Sequence, residues 1–187
     1  AVAFSRDRAL QLDGLLRSFD ACVQCRVPVH VRYACSNAAH DYSYRECSDE
    51  APEDVASFAR ETDFRADLLG LLEGLDCSHV MFLVDDIVFT REVDPSVLLQ
   101  LPLDICVPSL RLGGQVRGCY GSGSAMPQPP FHPVFVEGQE VLLWRWTDGV
   151  QDWAYPLSLD GHIFDRVELL TLLRAIAFKA PNSLESA

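Results

Sequence analysis

Two neighbouring carboxylates, Asp85 and Asp86, follow directly on the apolar run Val80-Met81-Phe82-Leu83-Val84. Adjacent like charges repel, and burial raises their pKa unless a cation compensates. A hard divalent ion such as Mg²⁺ or Mn²⁺, shared with ligand phosphates, resolves that conflict. The plainer reading is a solvated turn in which Asp86 caps the next segment. The second constellation is Asp160-Gly161-His162. A carboxylate and an imidazole two apart across a glycine can face one cleft, the imidazole as base or as ligand to a borderline metal. An ordinary loop is the alternative. Trp144, Trp146, Trp153 and Tyr155 form a dense aromatic group, and aromatic faces stack on sugars and bases. Trp153 and Tyr155, nearest the Asp160 turn, are the ligand candidates, while Trp144 and Trp146 read as a core corner. Arg6, Arg8 and Arg111 stand near strand ends, where a cation offsets phosphate charge. Cys22-Val23-Gln24-Cys25 has the spacing of half a zinc site, but no second pair completes it.

These residues must be positioned by elements, and apolar periodicity supplies them. Ala1–Ser5 reads as a strand, and Arg8–Phe19 as a helix with Leu12, Leu15, Leu16 and Phe19 on one face, capped by Ser5 or Asp7. Val27, Val29, Val31 and Tyr33 alternate as a second strand, and Asp54–Arg60 as a third. Thr62 or Asp63 caps a helix with the stripe Phe64, Leu68, Leu71, Leu72 and Leu75. The run Val80–Val84 is continuous, as in a strand buried on both faces. A short helix over Asp94–Leu101 carries proline in its first turn. Strands follow over Ile105–Leu110 and Glu140–Trp146. Between them, Gly113–Pro133 is rich in glycine and proline and reads as a long mobile loop. Asp165-Arg166-Val167-Glu168 resembles a capping box opening a last helix, Glu168–Lys179, apolar nearly all round and ended by Pro181.

This order predicts an α/β fold with an open, mostly parallel sheet and helices on both faces. In such sheets ligands bind beyond the carboxyl ends of the strands. That draws attention to Ser5-Arg6-Asp7, Cys35-Ser36-Asn37, Glu61-Thr62-Asp63 and Asp85-Asp86. The 187 residues, 49% of them apolar, suit one domain with a sizeable core.

Taken together, the motifs resemble a glycosyltransferase of the GT-A fold, family-2-like and inverting. Phe4-Ser5-Arg6-Asp7-Arg8 is similar to the first strand's exit into the nucleotide site of such enzymes. Phe82-Leu83-Val84-Asp85-Asp86-Ile87 resembles the strand that ends in their Asp-x-Asp motif. Trp153–Phe164 resembles the acceptor-side turn. The motif here is Asp-Asp-Ile, and Leu159 stands where inverting members often carry an acid. The resemblance implies transfer of a sugar from a nucleoside-diphosphate sugar to a hydroxyl of a glycan or small molecule. It assigns Asp160 as catalytic base and Asp86 and His162 as ligands of Mn²⁺ or Mg²⁺. It assigns Ser5, Arg6, Asp7, Asp63, Asp85, Arg111, Trp153 and Tyr155 to substrate binding. It further implies a nucleotide-binding half over residues 1–90 and an acceptor half over 91–187, whose flexible loop 113–133 would close over the donor as a lid. A nucleotidyltransferase and a non-catalytic sugar-nucleotide or carbohydrate-binding module with a degenerate site are the alternatives.

Fifteen basic against twenty-seven acidic residues give a net charge of −12. That field repels nucleic acid and anionic membranes, so neither is an expected partner. No apolar run reaches the roughly 18 residues of a membrane span. The start of the chain turns charged too early for a signal peptide. Seven scattered cysteines, an odd count, point to a reducing compartment and hence the cytoplasm. No phosphate-cradling glycine loop follows the first strand and no Gly-x-Ser-x-Gly elbow occurs, which excludes several common enzyme classes.

Overall fold

The computed structural model describes residues 1–53, 55–119 and 121–186. The chain opens with strand β1 (Val2–Arg6), helix α1 (Ala9–Cys22), β2 (Val29–Ala34), α2 (Ala38–Asp49), β3 (Val55–Arg60), α3 (Phe64–Gly74), β4 (His79–Val84) and the short α4 (Pro95–Leu98). Two small hairpins follow, β5 (Gly118–Cys119) with β6 (Ser124–Ala125), and β7 (His132–Val136) with β8 (Gln139–Leu143). The chain then returns through β9 (His162–Asp165) to α5 (Arg166–Ala175) and α6 (Pro181–Glu185).

One five-stranded sheet in the order β3-β2-β1-β4-β9 organises the molecule. The first four strands run parallel, and β9 joins antiparallel to β4, His162 opposite Phe82. The expected α/β class and mostly parallel sheet hold. Strands β1 and β4 are the centre, so their side chains are buried towards both faces. Ala3, Val31, Met81, Leu83 and Ile163 pack against α1 and α2. Val2, Phe4, Val80 and Phe82 pack against α3 and α5 on the other face. Alternate residues of one strand thus feed two cores, which is why β1 and β4 read as continuous apolar runs. Strand order reverses between β1 and β4: the chain builds outwards to β3, then crosses back to the far side of β1. That crevice is the switch point where open α/β sheets bind ligands.

Several expectations are corrected. A helix, α2, occupies residues to which the sequence pattern assigns no element. The Arg8–Phe19 helix begins at Ala9, and neither Ser5 nor Asp7 caps it: Arg8 holds the cap position without a side-chain bond. The run at Ile105–Leu110 forms no ladder. Only Ser109 bridges His162, and Pro108 lacks the N–H a strand needs. Gly113–Pro133 carries more order than expected: it contains β5 and β6, and its Cys119 and Met126 are buried against Trp153. Tyr120 of that stretch and Asp54, the expected start of β3, lie outside the described residues. The last helix starts earlier and ends at Ala175, and Pro181 opens α6 rather than ending α5. It is one-sided, with Leu169, Leu170 and Leu173 buried while Val167 and Leu172 are exposed. Among the described residues no helix is long and apolar enough to cross a membrane, and all seven cysteines are free thiols.

Candidate functional site

A cleft of about 510 Å³ opens at the β1–β4 switch point. Strand β1 places Ser5 and Arg6 at its edge, and the end of β4 places Asp85 and Asp86 opposite. The two carboxylates behave differently. Asp85 is buried, and its Oδ2 accepts from Ser5 Oγ at 2.8 Å and from the Arg6 backbone N–H at 3.3 Å. Its Oδ1 faces Arg8 Nη1 at 3.3 Å, and the same nitrogen reaches Asp86 Oδ2 at 3.2 Å. Asp86 is 62% exposed, so it alone of the pair is open to solvent.

Behind them, Tyr44 of α2 is fully buried and stacks on Tyr33. Its hydroxyl lies 2.6 Å from Ser5 Oγ and accepts from the Arg8 backbone N–H at 3.1 Å. Because the Ser5 proton goes to Asp85, Tyr44 donates to Ser5. A chain of hydrogen bonds thus runs from the Arg8 backbone through Tyr44 and Ser5 to Asp85, fixing the carboxylate at the strand end.

Asp160 faces this group from the opposite wall. It precedes Gly161, whose φ of +75° lies in the left-handed region that favours glycine. A Cβ there would also lie 3.4 Å from Leu110 Cβ. The turn ends in β9, which pins it to β4. Burial holds the Asp160 carboxyl above the usual carboxylate range, the Arg111 guanidinium pulls it back down, and the charges of Glu185 and Asp86 add to the rise. Arg111 Nε stands 3.2 Å from Asp160 Oδ2, and its Nη2 reaches Asp152 at 3.4 Å.

The remaining wall comes from the C-terminal strap, a part of the site that sequence reasoning missed. Lys179, Asn182 and Glu185 line the cleft, and Lys179 is the only lysine in the chain. Glu185 Oε1 accepts from Ser158 Oγ at 3.0 Å and from the Leu159 N–H at 2.9 Å. Tyr155 donates its hydroxyl to the Glu185 carbonyl at 2.7 Å. The strap therefore clasps the turn that presents Asp160. Its sequence signal was a lone lysine two residues before a proline, which says nothing of where the segment returns in space.

Of the residues singled out from sequence, Ser5, Arg6, Asp85, Asp86 and Asp160 share this cleft, and Arg111 touches it through Asp160. Asp7 turns away: at φ +57° its carboxylate accepts from the Ser36 N–H at 2.7 Å, and that bond draws its pKa down. Asp63 caps α3, accepting from Ala66 N. Trp153, Tyr155 and His162 line a second cleft instead. Trp144 packs in a small core, as expected, and Trp153 is buried in that core with it, whereas Trp146, expected in the core, is 54% exposed. His162 is buried beside Phe164 and lines the second cleft, whereas Asp86, expected to share a metal ion with it, lines the first.

No family model, curated protein or solved structure matches this chain.

The fit of a divalent ion rests on the donors that remain. Among the described residues no group of three or more His, Cys, Asp or Glu side chains could hold a metal. Asp85 has both oxygens engaged and Asp86 gives Oδ2 to Arg8, which leaves Oδ1 of the exposed Asp86. One carboxylate suits Mg²⁺ or Mn²⁺ only where ligand phosphates supply further oxygens.

Proposed function

We propose that the chain is a GT-A-type glycosyltransferase that moves a sugar from a nucleoside diphosphate to an acceptor hydroxyl with inversion. The observation that carries this reading is the meeting of Asp160 with Asp85, Asp86 and Arg8 across one cleft at the switch point. The parallel order β3-β2-β1-β4 with an antiparallel β9 supports it, as does an acidic pair at the end of the central strand.

Arg6, Arg8 and Lys179 supply positive charge where the diphosphate would lie. Mn²⁺ or Mg²⁺, when bound, adds the charge that stabilises the departing diphosphate, and Asp86 is the residue that would hold it. Asp85, held by Ser5 and the Arg6 N–H, keeps Arg8 in place. Asp160 takes the acceptor's hydroxyl proton while the acceptor oxygen bonds the sugar carbon. The bond from that carbon to phosphate breaks with its electron pair leaving on the diphosphate. A raised Asp160 carboxyl is a better base than an ordinary one, and Arg111 orients it.

Asp160→Asn, assayed as nucleoside diphosphate released from a panel of nucleotide sugars, should slow transfer about a hundredfold or more while leaving donor affinity intact. Loss of donor affinity with unchanged turnover at saturation would assign Asp160 to binding instead. A sugar-nucleotide-binding module without turnover is the second reading, and the solitary open carboxylate at Asp86 favours it. Donor binding without release of nucleotide, in wild type, selects that reading. Release of pyrophosphate selects a nucleotidyltransferase.

A further inference from the structure

The second cleft, about 570 Å³, lies beside the first and differs from it in chemistry. Ile105 (80% exposed), Trp146 (54%), Tyr155 (42%) and Val107 (40%) all line it. Exposed apolar side chains scattered singly need no explanation, but four gathered at one concavity mark a binding surface. The buried residues Trp153 and His162 line it too, and among the described residues Trp153 Nε1 and His162 Nδ1 have no hydrogen-bond partner. An unpaired buried polar atom is costly, and such exceptions in a cleft mark a missing partner. The volume falls within the usual range for small-molecule sites.

The two clefts meet at two residues. Arg111 lies in sequence between Leu110 and Leu112, which line the second cleft, and pairs with Asp160 of the first. Tyr155 lines the second cleft while its hydroxyl holds the strap residue Glu185 of the first. A molecule seated among these aromatics can extend a hydroxyl towards Asp160.

We infer that the second cleft binds an uncharged alcohol with a flat apolar body, one or two rings in size. Resting on the transferase reading, this molecule is the acceptor, its body held by Trp146, Tyr155, Ile105 and Val107. Aromatic side chains favour a flat partner by offset or edge-to-face packing. Arg91, Asp94 and Glu140 also line the cleft with charges of both signs, whereas the four exposed side chains that hold the body carry no ionic group.

All three tryptophans of the chain line this cleft, so intrinsic fluorescence reports its occupancy directly. The probe is phenyl β-D-glucoside, with methyl β-D-glucoside as its counterpart lacking the ring, both titrated without donor or metal. The phenyl compound should give a saturable change in tryptophan emission and bind at least tenfold more tightly than the methyl compound. Calorimetry on Ile105→Asp and Trp146→Ala should show at least a tenfold loss of affinity, about 1.4 kcal/mol. Both side chains are exposed, so neither change threatens the fold. Equal affinity for the two glucosides overturns the apolar body. Undiminished binding in both variants places the probe elsewhere and overturns the site. Concentration-dependent dimerisation that abolishes probe binding assigns the cleft to a second copy of the chain and also overturns it. Because no donor is present, a failure of sugar transfer leaves these outcomes readable, and a failure here leaves the donor cleft standing.

Discussion

A single buried imidazole shows how strongly position outweighs residue type. His162 is 5% exposed, and burial is the main cause that lowers its pKa to about 4, with the nearby Arg111 charge adding to the fall. It packs on Phe164, and the Asp160 backbone opposes part of the fall. The unfolded chain takes up this proton near pH 6.5, while the folded chain resists until about pH 4. Between those values the unfolded state binds more protons, so the contribution of His162 makes stability fall as pH is lowered through that window. The expected size is on the order of 3 kcal/mol at the acid end. Urea titrations at pH 7 and pH 4.5 should show a steeper loss of stability in wild type than in His162→Phe. Parallel losses would mean that the imidazole is reached by solvent. Sequence could pair Asp160 with His162 because they are two apart. It could not show that the first opens to one cleft and the second is buried beside another.

Helix α2 is the clearest case of an element that mattered and was not legible. Asn37 is a sound cap, accepting from Ala39 and His40 N–H groups, but only Tyr44 and Cys47 of the helix are buried. With two apolar anchors in twelve residues the 3.6 period is too faint to read. The strands β1 and β4 and the stripe of α3 were legible because burial on a whole face leaves a long pattern. Strand β9, four residues with a histidine and an aspartate, leaves none. Through Tyr44, the unread helix reaches the strand end where Asp85 sits. Tyr44→Phe keeps the ring and removes the hydroxyl, leaving the Arg8 N–H and Ser5 short of a partner. The expected cost is about 1–3 kcal/mol, read as a lowered Tm, together with weaker nucleotide binding. A Tm and an affinity both unchanged would show that the hydroxyl does not seat Ser5 and Asp85.

At the scale of the molecule, a chain of net charge −12 gathers Arg6, Arg8 and Lys179 at one cleft beside Glu61, Asp85, Asp86, Asp160 and Glu185. The local acids outnumber the bases, so a diphosphate needs added positive charge to settle there. Calorimetry of UDP and GDP should show at least tenfold weaker binding in chelator than with Mn²⁺, and Asp86→Ala should lose most of the ion's benefit. Equal affinity in both conditions would leave Arg8 and its neighbours as the whole of the phosphate-binding charge. Composition and the arginines after β1 had already indicated this conflict and part of its answer, whereas Lys179 entered the cleft only through the return of the strap.

The strap also sets an order of events. Residues 4–8 and 179–185 wall the same cleft, so its two sides come from opposite ends of the described chain. Closing so long a loop is slow compared with the local pairings of β1, α1 and β2. As the polypeptide leaves the ribosome, the parallel sheet can begin to assemble while the clasp of Glu185 on Leu159 has yet to be synthesised. The cleft is then closed only after the sheet has begun to form, when synthesis has passed the strap.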